Sequence, residues 1–154
     1  MIGIDPGVTG AVCILPDPAS RMPPIVEDLP ILRVNSKAYV DSLSLQRSLL
    51  VYGTPQLIVI ELAGVRPKQG ISSSGQTMLL FGGIVATAMT VECPLELVAP
   101  AKWKRKLGLL GHDKEASRQK ALTLFPSLAD YLRRKKDHNR AEALLLGAWG
   151  MTVQ

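Results

Sequence analysis

Cysteine and long apolar runs are both scarce in this sequence of 154 residues. Its only cysteines, Cys13 and Cys93, each lie in an apolar run with no signal peptide ahead of them, so we expect buried, reduced thiols and a cytoplasmic protein. The long apolar run over residues 78–91 is interrupted by glycines and threonines, whereas a membrane-spanning helix needs about 18 consecutive apolar residues. The sequence therefore predicts no membrane span.

Internal repeats, low-complexity tracts and linkers are also absent from the sequence. Apolar residues make up 47% of the chain and charged residues 20%, a balance that favours a packed core over disorder. We therefore predict a single domain over residues 1–154.

Positive charge is present in excess, with a formal net charge of +5 and a pI of about 9.4. The excess is concentrated in residues 102–106 (KWKRK) and 133–136 (RRKK). A solvated helix face can carry such a run without any function, but two runs beside acidic motifs favour DNA or RNA as the partner.

The order of predicted elements is βββαβαβ followed by helices. Residues 1–5 and 10–15 predict a β-hairpin, and residues 25–29 predict a third, edge strand. The apolar run 57–60 predicts a strand buried on both faces, and residues 95–98 predict a fifth strand. Helices are predicted over residues 36–53, 76–92, 101–107, 113–125 and 140–150, with loops over 16–24 and 66–74. The fold class is therefore α/β, with a mixed five-stranded sheet of three antiparallel strands then two parallel ones, flanked by helices.

Acidic residues stand at the ends of these elements. Asp5 ends the first strand within residues 3–10 (GIDPGVTG), where glycines permit a tight turn, and Glu61 ends the strand 57–60. If these strands pair, the two carboxylates meet at one sheet edge, where they repel each other unless a cation lies between them. Asp137 and Glu142, at the start of the last helix, offer a third acidic site.

Helical geometry leaves the partner of Glu142 open. Five residues at about 100° each place Asp137 well away from Glu142 on a regular helix, so Asp137 contributes only from a capping position. His138 and Glu142 are an i, i+4 pair on one face, which makes the imidazole a competing ligand or a general acid or base.

Three motifs together resemble the RuvC Holliday-junction resolvases, especially the phage-type members: residues 3–10 (GIDPGVTG), 59–62 (VIEL) and 141–144 (AEAL). The likeness extends over nearly the whole chain. It implies an RNase H-like fold, two magnesium ions per active site with manganese able to substitute, and a homodimer that nicks a four-way junction symmetrically. It also implies a bacterial or phage-infected host cytoplasm.

The resemblance assigns metal-binding, catalytic roles to Asp5, Glu61 and Glu142, the last standing where the family normally has Asp. The position three residues before the final acid, usually Asp or His in the family, is Asn139 here. The fourth ligand expected is Asp137, a hard oxygen donor suited to magnesium, with His138 as the alternative.

Basic residues near these motifs are expected to contact DNA phosphates and so position the DNA without reading its sequence. Trp103, between two of these residues, is expected to pack in the core, with base stacking as the alternative. The candidates for phosphate contact are Lys68, Lys102, Lys104, Arg105 and Lys106.

Other classes share parts of this pattern. Actin-like and sugar-kinase ATPases use a similar Asp-containing turn but need two such domains, and this chain has the length of one. A non-catalytic junction-binding protein would need the basic surface but not the converging acids. A YqgF-type RNA-processing nuclease would share the fold and differ in substrate. The small residues of helix 76–92 further predict an isologous homodimer interface.

Overall fold

The computed structural model describes residues 1–64 and 70–153. Seven strands and five α-helices are found in these ranges, together with short 3-10 helices over Pro126–Leu132 and Lys135–Asp137. The strands and helices are β1 (Ile2–Asp5), β2 (Ala11–Ile14), β3 (Ile25–Asp28), β4 (Ile31–Val34), β5 (Lys37–Val40), α1 (Ser42–Leu49), β6 (Ile58–Glu61), α2 (Ile71–Met89), β7 (Leu95–Val98), α3 (Pro100–Lys106), α4 (Lys114–Leu124) and α5 (His138–Gly150).

The main sheet has the strand order β3-β2-β1-β6-β7. Neighbouring strands β1, β2 and β3 are antiparallel, whereas β6 is parallel to both β1 and β7. The predicted sheet of three antiparallel strands followed by two parallel ones is therefore confirmed. Gly10 is required in the turn between β1 and β2, because a Cβ there would lie 2.2 Å from the Asp5 carbonyl oxygen.

A second, two-stranded sheet corrects the prediction of a helix beginning at Ser36. β4 and β5 form an antiparallel hairpin, and both residues of its turn, Asn35 and Ser36, have positive φ. Two left-handed residues in sequence match the twist of a tight hairpin, and they cannot begin a helix. Helix α1 begins later, where the Asp41 side chain caps it by accepting from the Ser44 backbone N–H at 3.1 Å.

Other helices begin a few residues away from their predicted positions. α2 begins at Ile71, so the predicted loop 66–74 is helical from residue 71, while residues 65–69 lie outside the described part. α5 begins at His138, two residues earlier than predicted. None of the described helices is long and apolar enough to cross a membrane.

The sheet divides the hydrophobic core in two. On one face, α1 and α2 pack over alternate residues of β1 and β6, including Ile2, Ile4, Ile58 and Ile60. The other face is covered by α5, where Ala143, Leu144 and neighbouring residues are fully buried.

Two glycines bring α5 and the sheet into direct backbone contact. A Cβ on Gly3 of β1 would lie 2.2 Å from the Ala143 carbonyl oxygen, and one on Gly147 would lie 2.8 Å from the Cys13 sulfur. Side chains at either position would push the helix away from the strands. This contact fixes the N-terminal turns of α5 above the end of β1.

Candidate functional site

Asp5 and Glu61 lie side by side at the carboxyl ends of β1 and β6. These strands are parallel and in register as far as Ile4 and Ile60, so the next residue of each strand is one of the two acids. The expected meeting of both carboxylates at one sheet edge is thus explained by strand order.

Glu142 is brought to the same edge by α5. The residue is 6% exposed. Its carboxylate accepts from the Lys104 ammonium group, whose Nζ lies 2.8 Å from Oε1, and from the Ser117 hydroxyl at 3.4 Å. Strands and helix therefore contribute one acid each to what we term the carboxylate cluster: Asp5, Glu61 and Glu142.

Charge within the carboxylate cluster is incompletely compensated. Burial raises the pKa of Asp5 well above its usual value, and the negative charges of Glu142 and Glu61 raise it further. The pKa of Glu61 is also raised, mainly by burial and partly by Glu142, although a hydrogen bond from Trp103 opposes the shift. Buried carboxylates in this condition favour either a proton or a metal cation.

Trp103 is a site residue whose role the sequence did not reveal. Its ring is fully buried, as expected for core packing, yet its indole Nε1 donates to Glu61 Oε2 at 2.7 Å. An apolar body with one donor directed at a carboxylate orients that carboxylate. The signal in the sequence that could have indicated this role was its position immediately before Lys104, within a basic run.

Two lysines accompany the carboxylate cluster. Lys104, expected to contact phosphate, is ion-paired to Glu142, and both Lys104 and Lys114 act to lower the pKa of Asp5 and Glu61. The Lys114 Nζ lies 2.7 Å from His138 Nε2. With all three acids ionised, the cluster and these lysines carry three negative and two positive charges, which leaves one negative charge in excess.

His138 and Asn139, at the start of α5, have different roles. The His138 Nδ1 lies 3.1 Å from the Lys135 carbonyl oxygen, so Nδ1–H donates there and Nε2 is left to accept from Lys114. Asn139 donates through Nδ2 to the Thr9 hydroxyl at 2.9 Å and also to the Thr9 carbonyl oxygen. Asn139 thereby connects α5 to the turn that follows Asp5.

Asp137 is not brought to the carboxylate cluster. It is buried, at 4% exposure, and its carboxylate accepts from the Arg134 backbone N–H at 2.8 Å and from the Arg134 guanidinium at 2.7 Å. Burial acts to raise the pKa of Asp137, but the hydrogen bonds and charge of Arg134 together lower it. The expectation that Asp137 is the fourth ligand therefore conflicts with its placement, because an arginine already occupies its oxygens.

The other predicted phosphate contacts lie at varied positions. Lys102 is ion-paired to Glu96 at 2.9 Å and lies 5.2 Å from the centre of the Trp149 ring. Arg105 and Lys106 are exposed on α3. Lys68 lies outside the described residues.

The oxygen donors of the carboxylate cluster are chemically suited to a hard divalent cation. Mg²⁺ prefers carboxylate oxygens, and the ionised cluster has negative charge in excess. In their present positions, no three His, Cys, Asp or Glu side chains of the described residues are grouped closely enough to hold a metal ion. Lys104 and Trp103 instead hold one oxygen each of Glu142 and Glu61. A cation would thus require the carboxylates to move closer together and the lysine to withdraw.

The sheet order and the face covered by α5 define an α/β protein with the RNase H-like fold. Within that fold the chain has the RuvC-like form. It superposes on the structure of Thermus thermophilus RuvC with a TM-score of 0.58 at 15% identity, covering 99% of this chain and 96% of that one. The T. thermophilus RuvC structure in complex with a Holliday junction substrate gives a TM-score of 0.59 at 13% identity, with the same coverage.

The yeast mitochondrial Holliday junction resolvase Ydc2 matches with a TM-score of 0.51 at 14% identity, over 96% of this chain and 77% of that one. The expected fold is thus confirmed.

Sequence comparison gives a shorter match. The chain is 49% identical over 51 residues to the chloroplastic Holliday junction resolvase MOC1 of Chlamydomonas reinhardtii. The matched segment is 32% of this chain and only 6% of that protein. No family model matches the chain. Because this relative is chloroplastic, the cytoplasmic location stays a prediction.

Proposed function

We propose that this protein is a metal-dependent, structure-selective endonuclease that resolves Holliday junctions or other branched DNA by hydrolysing phosphodiester bonds. One observation carries the proposal: Asp5, Glu61 and Glu142 converge from β1, β6 and α5 on a fold that aligns with RuvC over 99% of the chain. The substrate class is supported by two Holliday junction resolvases, MOC1 and Ydc2, and by the T. thermophilus RuvC structure in complex with a Holliday junction substrate.

The carboxylate cluster would hold the metal, proposed as two Mg²⁺ ions per site with Mn²⁺ able to substitute. Such ions supply a reactive water near neutral pH and neutralise charge on the phosphate. The fourth protein ligand is better assigned to His138 than to Asp137, because His138 directs Nε2 toward Lys114 beside the cluster whereas Asp137 is bound by Arg134. Trp103 orients Glu61 for this task.

Phosphates of the substrate are proposed to contact the exposed residues Arg105 and Lys106, which α3 places next to Trp103 and Lys104. Lys68 and Lys102 complete the proposed contacts. Because such contacts release counterions, affinity for DNA should fall steeply with salt.

A homodimer is proposed through α2, since cutting a two-fold junction symmetrically is most simply done by a two-fold enzyme. The exposed face of α2 carries Met78, Leu79 and Met89, and a Cβ on Gly82 would meet nothing within 4 Å. Gly83 instead faces Val40 of its own chain, so Gly82→Arg is the substitution that probes this interface. Light scattering should give a dimeric mass for the native chain and a monomeric mass for Gly82→Arg.

Cleavage of a synthetic four-way junction tests the function directly. With Mg²⁺, we expect nicks at the junction, little cutting of linear duplex of the same sequence, and no cutting once the metal is chelated. Binding of the junction without cleavage under any metal condition would favour the non-catalytic junction-binding protein. Preferential cleavage of structured RNA would favour the YqgF-type RNA-processing nuclease.

A further inference from the structure

A positively charged side chain already lies against the carboxylate cluster. The Lys104 Nζ lies 2.8 Å from Glu142 Oε1, and the Lys104 side chain is 27% exposed against 8% for that of Glu142. The buried carboxylate is thus fixed on α5, whereas the lysine reaches it from the side of solvent.

A second lysine lies against His138. Lys114, exposed at the start of α4, places its Nζ 2.7 Å from His138 Nε2. Because His138 donates through Nδ1 to the Lys135 carbonyl oxygen, the nitrogen that faces Lys114 is the one with a lone pair. A lone pair that accepts from an ammonium group is also the one that binds a metal ion.

We propose that Lys104 and Lys114 are internal counterions of the carboxylate cluster, which occupy its cation positions in the metal-free protein and move out to solvent when a divalent ion binds. The inference rests on the proposed function, because it requires the cluster to bind such an ion. The charge balance agrees with it, since two ammonium groups compensate most of the charge of three carboxylates.

Two consequences follow for the chain. Without metal, the lysines reduce the repulsion among Asp5, Glu61 and Glu142 and so stabilise the fold. With metal, the same lysines compete with the ion, so the affinity of the site is lower than that of the carboxylates alone. Lys104 and Lys114 thus set how much metal is needed to load the site.

Amine footprinting without DNA tests the movement itself. The full chain is treated with an acylating reagent in EDTA and then in Mg²⁺, and the reaction at each lysine is followed by mass spectrometry. We expect Lys104 and Lys114 to react several-fold faster in Mg²⁺, while Lys120, an exposed lysine on α4, reacts at the same rate in both. Unchanged or slower reaction at Lys104 and Lys114 would overturn the proposal.

Metal titration of variants tests the competition. Lys104→Met keeps an unbranched apolar side chain and removes the ammonium group, whose Nζ lies 5.1 Å from the centre of the Trp103 ring. We expect calorimetry to show Mg²⁺ or Mn²⁺ binding roughly tenfold tighter, because repulsion between the ammonium group and the ion is lost. The melting temperature in EDTA should be lower than that of the native chain. Lys120→Met, the control, should change neither quantity.

The outcomes separate this inference from the proposed function. If the native chain binds metal and Glu61→Gln does not, the metal site stands. Lys104→Met and Lys114→Met that then bind no more tightly would overturn the counterion role alone. If the native chain binds no divalent ion, both proposals fail. If Lys104→Met does not fold, Lys114→Met provides the same test, because it too should bind Mg²⁺ or Mn²⁺ more tightly than the native chain.

Discussion

Two buried carboxylates near the start of α5 have opposite surroundings. Asp137 is 4% exposed and Glu142 is 6% exposed, so burial does not distinguish them. Asp137 has an arginine for itself, bound through its guanidinium and its backbone N–H. Glu142 lies near two other carboxylates, those of Asp5 and Glu61. Its ion-pair partner is Lys104, which is more exposed to solvent than Glu142 itself.

The difference separates an acid whose charge is neutralised by a partner within the fold from one whose neighbours leave its charge incompletely compensated. The pKa of Asp137 is lowered, despite burial, because Arg134 neutralises the carboxylate. That of Asp5 is raised by burial and by the neighbouring carboxylates. A buried acid without full compensation costs free energy unless a ligand provides the charge, and perturbed carboxylates in this condition are typical of functional sites.

The largest difference between variants of the carboxylate cluster and a variant of Asp137 is expected in the rate of junction cleavage. Asp5→Asn or Glu61→Gln should reduce junction cleavage in Mg²⁺ by more than about a hundredfold, since even residues that only orient metal ligands contribute 10- to 100-fold. Junction binding, measured by gel shift in Ca²⁺, should remain because the basic surface is unchanged. Asp137→Asn is the matched control and should retain cleavage; a loss as large as that of Asp5→Asn would return Asp137 to the site.

Trp103→Phe is expected to have the next largest effect. The substitution keeps a buried ring but removes the donor to Glu61, so affinity for Mg²⁺ or Mn²⁺ should fall by about 10- to 100-fold. Calorimetry of the folded variant measures this directly. Trp149→Phe, at a second buried tryptophan, controls for lost volume. Equal losses in both variants would mean that packing, not the hydrogen bond, explains the result.

Asp137→Asn should act on stability instead. Removing the charge that Arg134 binds should lower the free energy of unfolding by about 1.5–3 kcal/mol at pH 7, as for other hydrogen bonds to charged groups. Because the pKa of Asp137 is lowered in the folded state, its contribution is present above the ordinary value of 3.8 and disappears as pH falls through the folded pKa. Urea unfolding of both proteins at pH 7 and at acidic pH measures this, and a difference that grows on acidification would contradict it.

The carboxylate cluster is expected to have a smaller effect on stability, and its pH dependence should be opposite in sign to that of Asp137. The pKa values of Asp5 and Glu61 are raised above 3.8 and 4.5, so their contribution to the stability of the metal-free protein is greatest where both are protonated and is lost as pH rises through their folded values. Asp5→Asn should weaken this decline and melt above the native chain at neutral pH in EDTA. Melting curves across pH 5 to 8 provide the measurement, and adding Mg²⁺ should reverse the order.

The sheet and its acids could be predicted because they depend on local pattern and strand order. An uninterrupted apolar run such as residues 57–60 predicts a buried strand, and parallel pairing then places its terminal acid beside that of β1. The β4–β5 hairpin could not be predicted in the same way. Its turn is Asn35-Ser36 rather than the Asn-Gly that usually marks such hairpins, and Ser36 with the apolar residues after it favoured a helix.

The surroundings of the acids depend on tertiary packing. The contacts of Trp103 and Lys104 require α3 to return beside β6 and α5, which no local pattern specifies. Asp137 differs, because Arg134 stands three residues before it and such pairs meet within one helical turn. That spacing was visible in the sequence and identifies the acid as one already paired.

The contact between Gly3 and the backbone of α5 has a mechanical consequence. Where side chains separate a helix from a sheet, small rotations of those side chains let the two layers shift relative to each other. Here a Cβ on Gly3 would lie 2.2 Å from the Ala143 carbonyl oxygen, so the helix lies directly on the strand and has no such layer to yield. The distance between the strand that carries Asp5 and the helix that carries Glu142 is therefore set by main-chain atoms, at Gly3 and Ala143.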